Sequence, residues 1–329
     1  MRQLSQDEII SCAAGSLQTR QAEQGLHLMR FNDAAMENFN LFPAWQKRTV
    51  CTAGVMLDLV TDSRTITVAV QSGVKIRKWA YFDAYADGLF TGTFGGIDLP
   101  EKVEFTLPLG SAKGRRRVQL YLPHSQETFI QAVGLDDGAS FEPAWQGKLL
   151  MAMGDSITQG MECRNPSLTY IATACRSLGL ALHNCGVGGH EFHQECLRAV
   201  LAPKPDLITV AYGVNDWRHD QSVNNAHDFL RRLRELYPAV PVVVLEPIWV
   251  QKGSPEGLAG KPNATGITLA EYRRMLIETV AGIQNMRCIP TADLLPPGPI
   301  FMPDGIHPGD HGHMVYGLNV ARILSPLFR

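Results

Sequence analysis

The stretch Leu149-Leu150-Met151-Ala152-Met153-Gly154-Asp155-Ser156-Ile157-Thr158 decides how this chain is read. Five consecutive apolar residues, too few for an ordinary buried helix, run into Gly-Asp-Ser, whose types end a strand and open a turn. A strand that is apolar at every position is buried on both faces, the condition of a parallel sheet covered by helices. The pattern then repeats. Strands are expected at Ala181 to Cys185, Asp206 to Tyr212, Val242 to Leu245 and near Cys288-Ile289. Helices are expected at about Ser167 to Leu178, after Gly189, at Asn225 to Leu236, Leu269 to Ile283 and about Gly309 to Leu324. Alternating strands and helices of this kind predict an α/β half, from Lys148 onward, whose ligands gather at the carboxyl ends of the strands.

Upstream the rhythm has period two. Residues 55–60, 65–70, 103–107, 117–122 and 128–133 read as short strands of approximate period two between Asp-Ser, Asp-Gly, Gly-Gly and Pro-Leu-Gly turns. Short strands without long helices between them predict an all-β sandwich over residues 1–146, followed by the α/β domain over 147–329. Ser5-Gln6-Asp7-Glu8 has the capping-box pattern and places a short helix at the start.

Composition narrows the function classes. With 329 residues, 45% hydrophobic and 19% charged, the chain can bury a sizeable core. A net charge of −2 offers no attraction to nucleic acid or an anionic membrane surface. No apolar run approaches the roughly 20 residues of a membrane span, and the N-terminal residues lack a signal-peptide pattern, so the expected location is the cytoplasm. Seven cysteines, an odd number without a C-x-x-C pair, read as reduced and mostly buried thiols.

Four loops in the α/β half carry unusual polar residues: Gly154-Asp155-Ser156, Gly186-Val187-Gly188-Gly189, Gly213-Val214-Asn215-Asp216 and Asp304-Gly305-Ile306-His307. Taken singly, each is an ordinary turn or helix cap. Taken together they hold the parts of a nucleophilic site. A serine hydroxyl needs a base before it can attack a carbonyl, and His307 can be that base for Ser156. The imidazole needs an acceptor on its far nitrogen, and Asp304 lies three residues away on the same loop. The oxyanion needs fixed donors, for which the backbone N–H groups of Ser156 and Gly189 and the side-chain amide of Asn215 are candidates. Gly186 and Gly188 compete with Gly189 for that role.

In their order and spacing the four blocks resemble the SGNH hydrolases, the GDSL esterase and lipase superfamily. The resemblance covers about residues 148–329. It implies a flavodoxin-like three-layer α/β/α fold, Ser156 as nucleophile, His307 as base and Asp304 as its orienter. It also implies an oxyanion hole of Ser156, Gly189 and Asn215, with no metal and no cofactor. A β-sandwich ahead of such a domain is similar in layout to carbohydrate esterase family 2. The reading is a serine esterase acting on a small acyl ester, with an O-acetylated carbohydrate as the favoured substrate. Acyl transfer to an acceptor hydroxyl and a non-catalytic binding module are the alternatives. The partner is then a small-molecule or oligosaccharide ester, and nothing in the residues indicates an oligomeric state.

Other motifs are weaker. His307, His311 and His313 with Asp310 offer metal-ligand types, but His311 and His313 are two apart and diverge on a helix. His190 and His193 are three apart, where the zinc-protease pattern needs four. The glycines after Cys185 do not make a dinucleotide fingerprint, and Ser156 lacks the G-x-S-x-G elbow. His190, Trp217 and Trp249 are candidate pocket walls. Pro247 to Gly266 reads as a long loop beside the site, and Lys113 to Arg117 as a basic turn.

Overall fold

The computed structural model describes residues 1–40, 42–110, 114–144, 147–198, 201, 204–250 and 261–328. The central part of the Pro247–Gly266 loop, Lys113 of the basic turn, and the expected domain boundary at residues 146 and 147 fall on or against segments outside these.

The α/β half is a five-stranded parallel sheet in the order Ala181–Gly186, Leu149–Gly154, Leu207–Ala211, Val242–Leu245, Met286–Ile289. Numbered along the chain this is 2-1-3-4-5, the flavodoxin-like order, with the switch point at Leu149–Gly154. Side-chain alternation splits that strand between two cores. Leu150 and Ala152 pack with Ile171, Ala174, Tyr316 and Val320 from helices Tyr170–Leu178 and Asp310–Leu324. Met151 and Met153 pack with Phe229, Leu230, Leu233, Leu276 and Val280 from helices Val223–Leu236 and Leu269–Ala281. Both faces are covered, which is why the strand is apolar throughout.

The N-terminal half contains two antiparallel sheets. One runs Gln18–Ala22, Gly25–Met29, Gln126–Leu135, Thr65–Lys75, Lys102–Pro108; the other Glu142–Pro143, Met56–Thr61, Arg116–Tyr121, Trp79–Ala86, Leu89–Ile97. Between them lies a core of Leu26, Leu28, Ile66, Val68, Leu57, Leu59, Val118, Leu120 and Phe82, so the sandwich is as expected. The helix at Gln6–Ser11 has the full capping box, with Ser5 and Glu8 bonding each other's backbone N–H. Two helices, Asp33–Asn38 and Pro43–Thr49, were not expected. They carry Ala35, Phe39 and Trp45 into the core of the α/β half. After Gly189 the described residues form only a short 3-10 turn, Gln194–Leu197, where a helix was expected.

The two halves are locked by a buried cation. Arg30, almost without solvent exposure, donates from Nε to Cys51 O (2.7 Å), from Nη1 to Asn184 O and Gly186 O (both 2.8 Å), and from Nη2 to Arg48 O (2.8 Å). No carboxylate pairs with it among the described residues. Burial lowers its pKa to about 10, so it remains charged at neutral pH. Carbonyl dipoles of both halves therefore take the place of a counter-ion.

Candidate active site

Three of the four loops leave adjacent strands at the same level. Gly154 pairs with Gly186 on one side and with Ala211 on the other, and Val187 N donates to Gly154 O. A Cβ at Gly154 would collide with the Thr158 hydroxyl, so glycine is required where the chain turns from strand to helix. Asp155 caps the short helix Ser156–Gln159, accepting from Ile157 N at 2.9 Å. Burial raises its carboxyl to about 6, and its bond to the helix N-terminus marks it as a cap rather than a partner of His307.

Ser156 Oγ lies 2.9 Å from His307 Nε2, and His307 Nδ1 lies 2.6 Å from Asp304 Oδ2. Asp304 Oδ1 also accepts from the backbone N–H of Ile306 (2.9 Å) and His307 (2.7 Å), so one side chain fixes both the loop and the ring. Burial would raise the Asp304 carboxyl, but the hydrogen bond and charge of His307 and the two backbone donors hold it down to about 2. An ionised Asp304 can only accept. The proton must then sit on His307 Nδ1, leaving the Nε2 lone pair for the Ser156 hydroxyl.

The N–H groups of the glycine loop differ in whether they are already bonded. Gly186 N donates to Asn184 Oδ1 (2.8 Å), Val187 N to Gly154 O (3.0 Å), Gly188 N to Gln159 Oε1 (2.8 Å) and His190 N to Val187 O (3.0 Å). Gly189, at φ +75°, has its N–H free of partners among the described residues. Its neighbour carbonyl, Gly188 O, is held by Arg48 Nη1. In a trans peptide C=O and N–H point in opposite directions, so this bond also sets the direction of the Gly189 N–H. Gln159 Nε2 in turn donates to Arg48 O (3.0 Å). Asn215, second residue of the helix Val214–Arg218, donates through Nδ2 to His190 O at 3.1 Å and keeps a second amide hydrogen.

Of the expected pocket walls, Trp217 and His190 are buried and Trp249 is partly exposed. Trp217 is buried, with Nε1 on Ile267 O at 2.7 Å, and belongs to the packing beneath the Gly-Val-Asn-Asp turn. His190 is buried between Trp45, Phe39 and Tyr212, where burial lowers its pKa to about 3 and keeps it neutral. Trp249 packs partly buried on the core and donates to Pro296 O at 3.1 Å. The basic turn is largely paired internally: Arg115 with Glu142, Arg117 with Asp58, and Arg116 on Ser63 O and Gly110 O. His313 is buried and accepts from Tyr170 N at 3.1 Å, whereas His311 is exposed. Among the described residues, Glu162, Asp304 and His307 form the one cluster with metal-ligand spacing, atoms within 4.8 Å. Both ring nitrogens of His307 are already bonded to Ser156 and Asp304.

Asp216 accepts from Phe192 N at 2.9 Å and is fully buried, which pushes its carboxyl up to about 8. A raised carboxyl contributes stability that is complete below its ordinary value of 3.8 and is lost as pH climbs through about 8. Asp216→Asn keeps the acceptor and removes the titration. The melting temperature of the variant relative to wild type should rise from pH 4 to pH 8 and then level off. A difference that does not vary with pH would contradict the assignment.

A parallel sheet in flavodoxin-like order, carrying Ser, His and Asp in hydrogen-bonded sequence over its carboxyl edge, defines the class of serine hydrolases with a three-layer α/β/α core. Residues 152–315 match the GDSL-like lipase/acylhydrolase family, and that segment is a domain of that family, an ester-hydrolase domain. Among solved structures, the chain resembles the salicylyl-acyltransferase SsfX3 of a tetracycline biosynthetic pathway, with TM-score 0.80, 23% identity, and 96% of this chain and 94% of that one covered. It resembles a protein described as a GDSL-like lipase from Bacteroides ovatus, with TM-score 0.78, 19% identity, and 99% and 98% covered. It also resembles a family two carbohydrate esterase from Clostridium thermocellum, solved with cellohexaose, with TM-score 0.61, 15% identity, and 84% and 94% covered. At these identities the likeness establishes the fold, sandwich included. No curated protein matches the chain.

Proposed function

We propose that the protein is a serine esterase that removes a small acyl group, acetyl in the favoured case, from a carbohydrate hydroxyl. The observation that carries this reading is the continuous chain Ser156 Oγ–His307–Asp304 at 2.9 and 2.6 Å. Ser156 Oγ attacks the ester carbonyl and passes its proton to His307 Nε2, while Asp304 stabilises the imidazolium. The N–H groups of Ser156 and Gly189 and the amide of Asn215 receive the negative charge on the former carbonyl oxygen. The tetrahedral adduct collapses, the C–O bond to the alcohol breaks, and His307 returns the proton to the departing oxygen. Water then repeats the sequence on the acyl-enzyme and frees Ser156.

The carbohydrate esterase neighbour supports a sugar ester as substrate. The acyltransferase neighbour supports a second outcome, in which an acceptor hydroxyl replaces water at the acyl-enzyme. Seven unpaired cysteines, six of them buried, support a reducing compartment such as the cytoplasm. Among the described residues no helix is long and apolar enough to cross a membrane.

Product analysis tests the reading. Incubation with an acetylated oligosaccharide in the presence of excess unacetylated oligosaccharide should release free acetate in step with substrate loss. Acetylated acceptor without acetate would replace hydrolysis by transfer. Absence of both, with aryl acetates also untouched, would sink the esterase reading.

A further inference from the structure

We infer that the cavity bordered by Glu162, the neighbour of His307, is the subsite for the alcohol part of the ester, and that it takes a neutral, sugar-like polyol. The inference rests on the serine-esterase reading above. His307 Nε2 must deliver a proton to the departing oxygen, so the alcohol lies on the His307 side of Ser156.

A cavity of about 330 Å³ adjoins the site, bounded in part by Trp79, Glu162, Arg164, Ile300, Asp310 and His311. This volume falls in the range of small-molecule sites. Glu162 ties the cavity to the chemistry, because its carboxylate lies within 4.8 Å of ligand atoms of both Asp304 and His307. The wall is contributed by both halves and held between them. Arg77 pairs with Glu162 at 2.8 Å, and Trp79 Nε1 donates to Cys163 O at 3.4 Å.

The lining selects the ligand class. Glu162, paired with Arg77, and Asp310 present carboxylates, and His311 presents an imidazole. Asp310 Oδ1 accepts from Arg164 N at 2.7 Å, and Oδ2 has no partner among the described residues. Arg164 presents an exposed guanidinium with no acidic partner among the described residues. Trp79, half-buried, offers an aromatic face, with Ile300 and Pro303 beside it. An anion would meet the Asp310 carboxylate, unpaired among the described residues, and a cation would meet Arg164. A long aliphatic alcohol would cover charged groups without bonding them. Hydroxyls both donate and accept, and a ring carrying them can lie against the indole while reaching Arg164 and both acids.

The test compares kcat/KM on an acetylated monosaccharide with kcat/KM on phenyl acetate, whose leaving group carries no hydroxyls to bond. Trp79→Ala, Arg164→Ala and the filling variant Ile300→Trp should each lower the sugar-to-phenyl ratio at least tenfold, through KM of the sugar ester. Arg164 and Ile300 are exposed, so those two variants keep the test valid if Trp79→Ala fails to fold. A ratio within twofold of wild type in both would overturn the subsite while leaving the esterase intact. Wild-type protein inactive on both esters would overturn the esterase reading, and this inference with it. Saturation-transfer NMR of the acetylated sugar on Ser156→Ala protein gives an independent readout: signals should weaken on adding Arg164→Ala, and an unchanged signal would count against the cavity.

Discussion

Ser156→Ala should lower kcat on an acetyl ester by about 10³-fold or more, with the fold intact. The size follows from what the hydroxyl does. In the proposed mechanism His307 then has no nucleophile to deprotonate, and only the oxyanion donors and substrate binding still act on the reaction. The Ser156 side chain makes no bond that the helix Ser156–Gln159 depends on, since Asp155 provides the cap. Its removal should therefore leave the melting temperature nearly unchanged. Comparing kcat with a thermal melt checks both halves of this expectation. Activity retained at the wild-type level would remove Ser156 from the chemistry.

The second large effect is on stability. Arg30→Met should destabilise the protein by roughly 3–5 kcal/mol, because it strands buried carbonyls that the guanidinium now satisfies. Cys51 O and Arg48 O belong to the N-terminal half, and Asn184 O and Gly186 O to the strand entering the glycine loop. Their common donor joins the two halves at the loop that carries Gly189. The melting temperature should fall by about 10 °C, and kcat should fall as the glycine loop loses its anchor. A melt within one or two degrees of wild type would mean that water or neighbouring donors replace Arg30 without cost.

Much of the α/β half is legible in sequence because burial on both faces leaves a local mark. Leu149 to Met153 and, but for Thr209, Leu207 to Tyr212 lack polar residues, and the structure makes strands of both. Glycine and short polar residues at their ends mark the turns that hold Ser156 and Asn215. The sandwich is less legible. Trp79–Ala86 escapes the period-two reading because its outer face is also covered: Tyr85 and Tyr121 pack into the core of the parallel half. Leu89–Ile97, with three glycines, and the polar Gln18–Ala22 lack the apolar face that marks a strand.

The supporting shell of the site was illegible for a different reason. Arg30, Arg48 and Gln159 reach the glycine loop or its supports through bonds to backbone atoms 111 to 156 residues away, and such bonds leave no spacing to recognise. The same applies to Glu162, whose place beside His307 depends on how the chain returns after the helix Ser156–Gln159. Aromatic residues misled in the opposite direction. Trp217 and His190 adjoin motif residues in sequence, yet the turns that present Asn215 and Gly189 need packing beneath them, and these two side chains provide it.

Ser156, as a nucleophile activated by His307, should react covalently with an electrophile that mimics an ester. Intact-protein and peptide mass spectrometry after treatment with a fluorophosphonate tests this most directly. One adduct per chain is expected, on the peptide containing Ser156, with labelling abolished by Ser156→Ala and strongly slowed by His307→Ala. Absence of an adduct, or an adduct on another residue that survives Ser156→Ala, would contradict it.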